Sequence, residues 1–173
     1  METTVILPDF ARVIRGLPCG EYSYLNLLPL IMQSPAVRRI GTPSVPLDPL
    51  LNAARVRIEA GDHYIWVDDK APAIVLTDHY YSRGNSVDLY LDLIHELVHL
   101  RQLAEGKNIW DRTFPYVDRP TEIEGYAIAI EEGLRLGLTE PEIINHLSNP
   151  WMTHAEVLRL RKNVTHFLDP DHT

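Results

Sequence analysis

The residues best suited to chemistry stand together in Asp92-Leu93-Ile94-His95-Glu96-Leu97-Val98-His99-Leu100. Residues four apart on an α-helix lie one turn from each other on the same face. His95 and His99 can therefore grip one metal ion, and Glu96 beside them can reach a water on it. Zinc suits such a pair, because it lowers the pKa of a bound water and a carboxylate can then take the proton. The resulting nucleophile is suited to an amide carbonyl. The spacing predicts His95 and His99 as zinc ligands and Glu96 as the catalytic base. Ile94, Leu97, Val98 and Leu100 around them are apolar, which predicts a buried helix. Two imidazoles and a carboxylate are costly to bury unless they are paired or bound to metal.

A catalytic zinc site needs a third protein ligand and an open position. The segment Pro120-Thr121-Glu122-Ile123-Glu124-Gly125-Tyr126-Ala127 offers two carboxylates. Glu122 shares a helix face with the small residues Gly125, Ala129 and Gly133, and also with Tyr126; small residues there allow close approach to the H-E-x-x-H helix. Glu124 falls on a more polar face with Ile128, Glu131 and Arg135, and it completes a Thr121-x-x-Glu124 capping pattern. Face geometry favours Glu122 as the ligand and keeps Glu124 as its alternative. Tyr116, Tyr126, His146 and His154 are unranked candidates for stabilising a developing oxyanion. Asp92, three residues before His95, is a candidate for orienting that imidazole.

The elements that must hold these groups follow from periodicity and punctuation. Val87, Leu91, Ile94 and Val98 recur at helical spacing, with Asn85 or Ser86 as the cap and Gly106 as the stop, which predicts a helix over 85–106. Upstream, Asp48 and Pro49 open a predicted helix whose stripe is Leu50, Leu51, Ala54 and Ile58 and whose end is Gly61. His63 to Asp68 and Ala73 to Thr77 read as strands joined by Asp69-Lys70-Ala71-Pro72, an antiparallel hairpin. Residues 1–47 are cut by six prolines into irregular pieces, with a short helix over Tyr22–Gln33 and a loop over Ser34–Leu47. After a loop over Lys107–Pro120, helices are predicted over Thr121–Leu136, Thr139–Leu147 and Thr153–Leu168, the last two opened by the capping boxes Thr139/Glu142 and Thr153/Glu156.

The H-E-L-V-H helix followed 23 residues later by a helical glutamate resembles the gluzincin metallopeptidases, and in particular the small minigluzincins. Their third ligand often sits in E-x-x-(small)-x-x-(apolar)-A, which Glu122, Gly125, Ile128 and Ala129 match. Many members carry Asp after the small residue, where this chain has Tyr126. The resemblance spans about residues 62–136. It implies an α+β, zincin-like fold: a small mixed sheet packed on the H-E-x-x-H helix and the Glu-ligand helix, with further helices at both ends. It also implies an edge strand that pairs with a substrate peptide, for which Ala73 to His79 is the candidate. The third histidine of a metzincin, six residues after His99, is replaced by Glu105.

Composition bounds the rest. The chain has 173 residues, 45% of them hydrophobic, which suits one domain over 1–173 with its catalytic core at 48–136 and C-terminal helices at 137–173. A net charge of -8 disfavours broad binding to nucleic acid. Residues 139–168, with Arg159, Arg161 and Lys162, form the one candidate helix-turn-helix, the basis of a rival DNA-binding reading. A second rival is a zinc-binding regulatory or interaction protein with little turnover. The single cysteine, Cys19, cannot form an internal disulfide. No secretory signal or membrane span is legible, so a cytoplasmic location is expected. The partner expected is a peptide or protein substrate; no feature specifies an oligomeric state.

Overall fold

A computed structural model describes residues 5–171. It is an α+β structure with a four-stranded mixed sheet and, among the described residues, eight helices. The strands are β1 (Gly20–Ser23), β2 (Arg55–Glu59), β3 (Ile65–Asp68) and β4 (Ala73–Thr77). Their order across the sheet is β1-β2-β4-β3. The β4 strand is buried along its whole length, as the run Ala-Ile-Val-Leu-Thr requires of a central strand. It pairs in parallel with β2 and antiparallel with β3.

The hairpin of β3 and β4 forms as its sequence predicts. The edge lies elsewhere than expected, however: β4 is internal and β3 is the edge strand on that side. The reason is β2. Its residues Arg55-Val56-Arg57-Ile58-Glu59 alternate polar and apolar, and Val56 and Ile58 are fully buried while Arg57 pairs with Asp68 at 3.1 Å. The helix predicted from Pro49 to Gly61 therefore stops at Ala53, as α3 (Leu47–Ala53), and Ala54 is already extended.

The N-terminal region is more ordered than its prolines suggest. Instead of one helix over Tyr22–Gln33, β1 runs to Ser23 and α1 (Tyr24–Leu27) follows at once, with Ser23 as its cap. A 3-10 turn over Ile31–Gln33 comes after Pro29. The segment predicted as a loop holds α2 (Pro35–Arg38), capped by the Ser34 hydroxyl, which accepts from the Val37 amide at 3.2 Å.

The remaining helices are α4 (Asp78–Arg83), α5 (Ser86–Ala104), α6 (Pro120–Arg135), α7 (Glu140–Leu147) and α8 (His154–Leu168). Asn85 caps α5, its side chain accepting from the amides of Val87 and Asp88. The capping boxes of α7 and α8 form as predicted. The α5 helix lies against β3 and β4 on one side and α6 on the other, and α8 packs on α6. Arg159 and Arg161 of α8 are engaged by Asp118 at 2.7 Å and by Glu140 at 2.8 Å. Among the described residues no helix is long and apolar enough to cross a membrane.

Candidate metal centre

His95 and His99 project from one face of α5, and Glu122 meets them from the first turn of α6. Glu122 Oε2 lies 3.2 Å from His95 Nε2 and 3.4 Å from His99 Nε2. Among the described residues these three form the one group of donors that could hold a metal ion. All three side chains are buried. Ligands held about 2.0–2.1 Å from a tetrahedral ion stand about 3.3 Å from one another, and both nitrogen–oxygen separations match that spacing.

The close approach of α6 depends on Gly125. A β-carbon there would sit 3.0 Å from Cε1 and Nδ1 of His95. The ring of Tyr126 covers His95 from the same helix, with centroids 4.2 Å apart. Asp92 does not orient His95: its Oδ2 accepts from the Tyr80 hydroxyl at 2.5 Å, and His95 Nδ1 has no hydrogen-bond partner among the described residues.

His99 is oriented by Gln102, a residue the sequence analysis missed. The Gln102 amide nitrogen donates to the Thr121 carbonyl at 3.0 Å and to Glu124 Oε2 at 2.7 Å. Its oxygen must then face His99 Nδ1, 2.8 Å away, and accept a proton from it. That arrangement keeps the Nε2 lone pair of a neutral ring free for a metal. The signal was present, since Gln102 follows His99 by three residues and so shares its helix face.

Glu124 is accordingly not brought to the donor cluster. Besides Gln102 it binds Arg101, at 2.5 Å, and so ties α5 to α6. The predicted Thr121–Glu124 capping box does not form, because α6 begins at Pro120 with Arg119 in the cap position. Glu122 Oε1 turns away from the cluster to Arg119 Nη1 at 3.3 Å.

The three groups are coupled electrostatically. Burial pulls the His95 imidazole down to about 4, helped by the neighbouring His99. Burial acts the same way on His99, yet Glu122 outweighs it and raises His99 to about 9. Burial would raise Glu122, but the two imidazoles hold it far below the usual carboxylate range. The buried Glu122 carboxylate is thus balanced by the imidazoles on one oxygen and by Arg119 on the other.

The cluster lies at one wall of a cavity of about 480 Å³. Glu96 also lines it and makes no hydrogen bond with any described residue; burial pushes its carboxyl up to about 8. Tyr116 and Tyr126 face the cavity with their hydroxyl oxygens 2.9 Å apart. The Tyr64 hydroxyl donates to Asn149 Oδ1 at 2.5 Å, and Asn149 Nδ2 donates to the Tyr126 hydroxyl at 3.0 Å. His146 lies behind the cavity wall against Asp88, and His154 is exposed on α8, so neither takes part. No protein-family model, curated protein or solved structure matches the chain.

Proposed function

We propose that the protein is a zinc-dependent metallopeptidase of the gluzincin type, with a zincin-like arrangement of sheet, H-E-x-x-H helix and glutamate helix. The observation that carries this reading is the convergence of His95 Nε2, His99 Nε2 and Glu122 Oε2 beside an unbonded Glu96 carboxylate in an open cavity. Two imidazoles and one carboxylate suit zinc and leave a fourth position for chemistry. When bound, the metal polarises a carbonyl oxygen and acidifies water.

The chain's own groups supply the rest. In its ionised form Glu96 takes a proton from the attacking water as the carbon–oxygen bond forms, then delivers it to the amine nitrogen as the carbon–nitrogen bond breaks. Tyr126 accepts from Asn149, and in its hydrogen bond with Tyr116 either hydroxyl can donate. When Tyr126 donates to Tyr116, the Tyr116 proton is left to stabilise the oxyanion developing on the substrate. The open side of β3 supplies backbone groups to which an extended peptide can pair.

The test is peptide cleavage by zinc-loaded protein against Glu96→Gln. The reading requires cleavage by the wild type, abolished by chelator and restored by zinc, with metal retained but turnover lost in Glu96→Gln. Equal turnover in the two proteins would refute it.

A further inference from the structure

Three carboxylates line the cavity, and the chemistry proposed above uses two. Asp92 is the third. It stands one helical turn before Glu96 on α5. Its Oδ2 is occupied by the Tyr80 hydroxyl. Among the described residues nothing donates a hydrogen bond to Oδ1, which lies 3.8 Å from His146 Nε2, too far for one.

His146 does not neutralise this end of the cavity. Its Nδ1 meets Asp88 Oδ1 at 2.9 Å, so one imidazole stands between two carboxylates. Burial raises the Asp92 carboxyl, with His146 and the Tyr80 hydrogen bond opposing it; with His146 protonated and both carboxylates ionised, the trio carries one net negative charge. Tyr80 and Tyr64, packed alongside from α4 and from the start of the hairpin, add no cation. Among the described residues no Lys or Arg lines the cavity; its other basic groups are His63 and the two imidazoles of the metal cluster. Arg119, behind Glu122, is committed to that carboxylate and to the Asp111 carbonyl.

The walls here are aromatic. Tyr64 packs edge-on against Tyr80 at 5.4 Å and stacks with Trp151 at 6.3 Å, and Trp151 is 60% exposed. Such faces accept the aliphatic stem of a long basic side chain and attract its charged head. A chain of net charge -8 also draws cationic partners by long-range attraction.

We propose that this end of the cavity is a subsite for a basic side chain, with Asp92 as the specificity-determining residue. The substrate is then a peptide or protein with Lys or Arg close to the bond presented to Glu96. The inference rests on the peptidase reading for the word substrate; the subsite itself needs no catalysis.

Binding tests it directly. All three tryptophans, Trp66, Trp110 and Trp151, line the cavity, so intrinsic fluorescence reports its occupancy. The probes are capped hexapeptides identical except for one central residue: lysine, acetyl-lysine or norleucine. The protein is expected to bind the lysine peptide about tenfold more tightly or better, as befits a charged hydrogen bond. That preference should shrink with added salt and vanish in Asp92→Asn. Equal binding of lysine and acetyl-lysine peptides by the wild type overturns the proposal, as does a preference that survives Asp92→Asn. Should Asp92→Asn prove unstable, the wild-type comparison decides alone. Lysine-selective binding without cleavage of any probe by zinc-loaded protein sustains the subsite and removes the peptidase reading. Cleavage indifferent to the basic residue does the reverse.

Discussion

Gly125 lies so close to His95 that a β-carbon on it would stand 3.0 Å from the imidazole. Two helices are thereby brought near enough for Glu122 to share one point with two histidines. Gly125→Ala must displace the ring or separate the helices. It should cost about 1–3 kcal/mol of stability, the usual range for overpacking, and weaken metal binding as well. Denaturant unfolding and a competitive zinc titration check both effects; a variant unchanged in both would contradict the packing described.

Gln102 holds the proton of His99 Nδ1 and is itself held by Thr121 and Glu124. Gln102→Leu should lower zinc affinity about 10- to 100-fold, the usual effect of removing a partner behind a ligand. Gln102→Glu keeps an acceptor for His99 but sets a carboxylate against Glu124 and the Thr121 carbonyl, and should not restore the affinity. Competition against a chelating dye measures both.

Much of this site was legible in the sequence because it obeys local rules. The four-residue spacing of His95 and His99, the cap at Asn85 and the hairpin of β3 and β4 depend on near neighbours alone. The face shared by Glu122, Gly125 and Tyr126 also followed from helical geometry. What failed depended on partners far along the chain. Leu50, Leu51, Ala54 and Ile58 fit a helical stripe, yet Ile58 belongs to a strand flanked by β1 and β4. Inserting β2 beside β4 made β3 the edge. Asn149 is distant in sequence from Tyr64 and Tyr126, so no spacing marks their hydrogen bonds.

Tyr116 stands at the end of the Tyr64–Asn149–Tyr126 chain and is the proposed oxyanion donor. Tyr116→Phe should lower kcat by about 10²–10³ with a smaller change in KM, as loss of an oxyanion donor does. Steady-state kinetics on one peptide separate the two parameters. A change confined to KM would assign Tyr116 to binding instead.

His146 gives the metal-free protein a pH signature. Burial lowers its pKa, but the Asp88 hydrogen bond and the charges of Asp88 and Asp92 outweigh this and raise it. A group raised on folding contributes stability that is complete below its unfolded pKa, about 6.5. That contribution is lost as pH rises through the folded value. Urea unfolding from pH 6 upward should therefore show the stability difference between wild type and His146→Gln shrinking as pH rises. A difference that grows with pH would contradict the pairing.

The most direct test of the central claim is the zinc content of purified wild type, Glu122→Ala and Glu124→Ala after dialysis against zinc. The geometry predicts about one zinc per chain in the wild type, its loss in Glu122→Ala, and its retention at lower affinity in Glu124→Ala, which removes only the anchor of Gln102 and Arg101. A wild type without metal, or a Glu122→Ala protein that keeps it, would contradict the site formed by His95, His99 and Glu122.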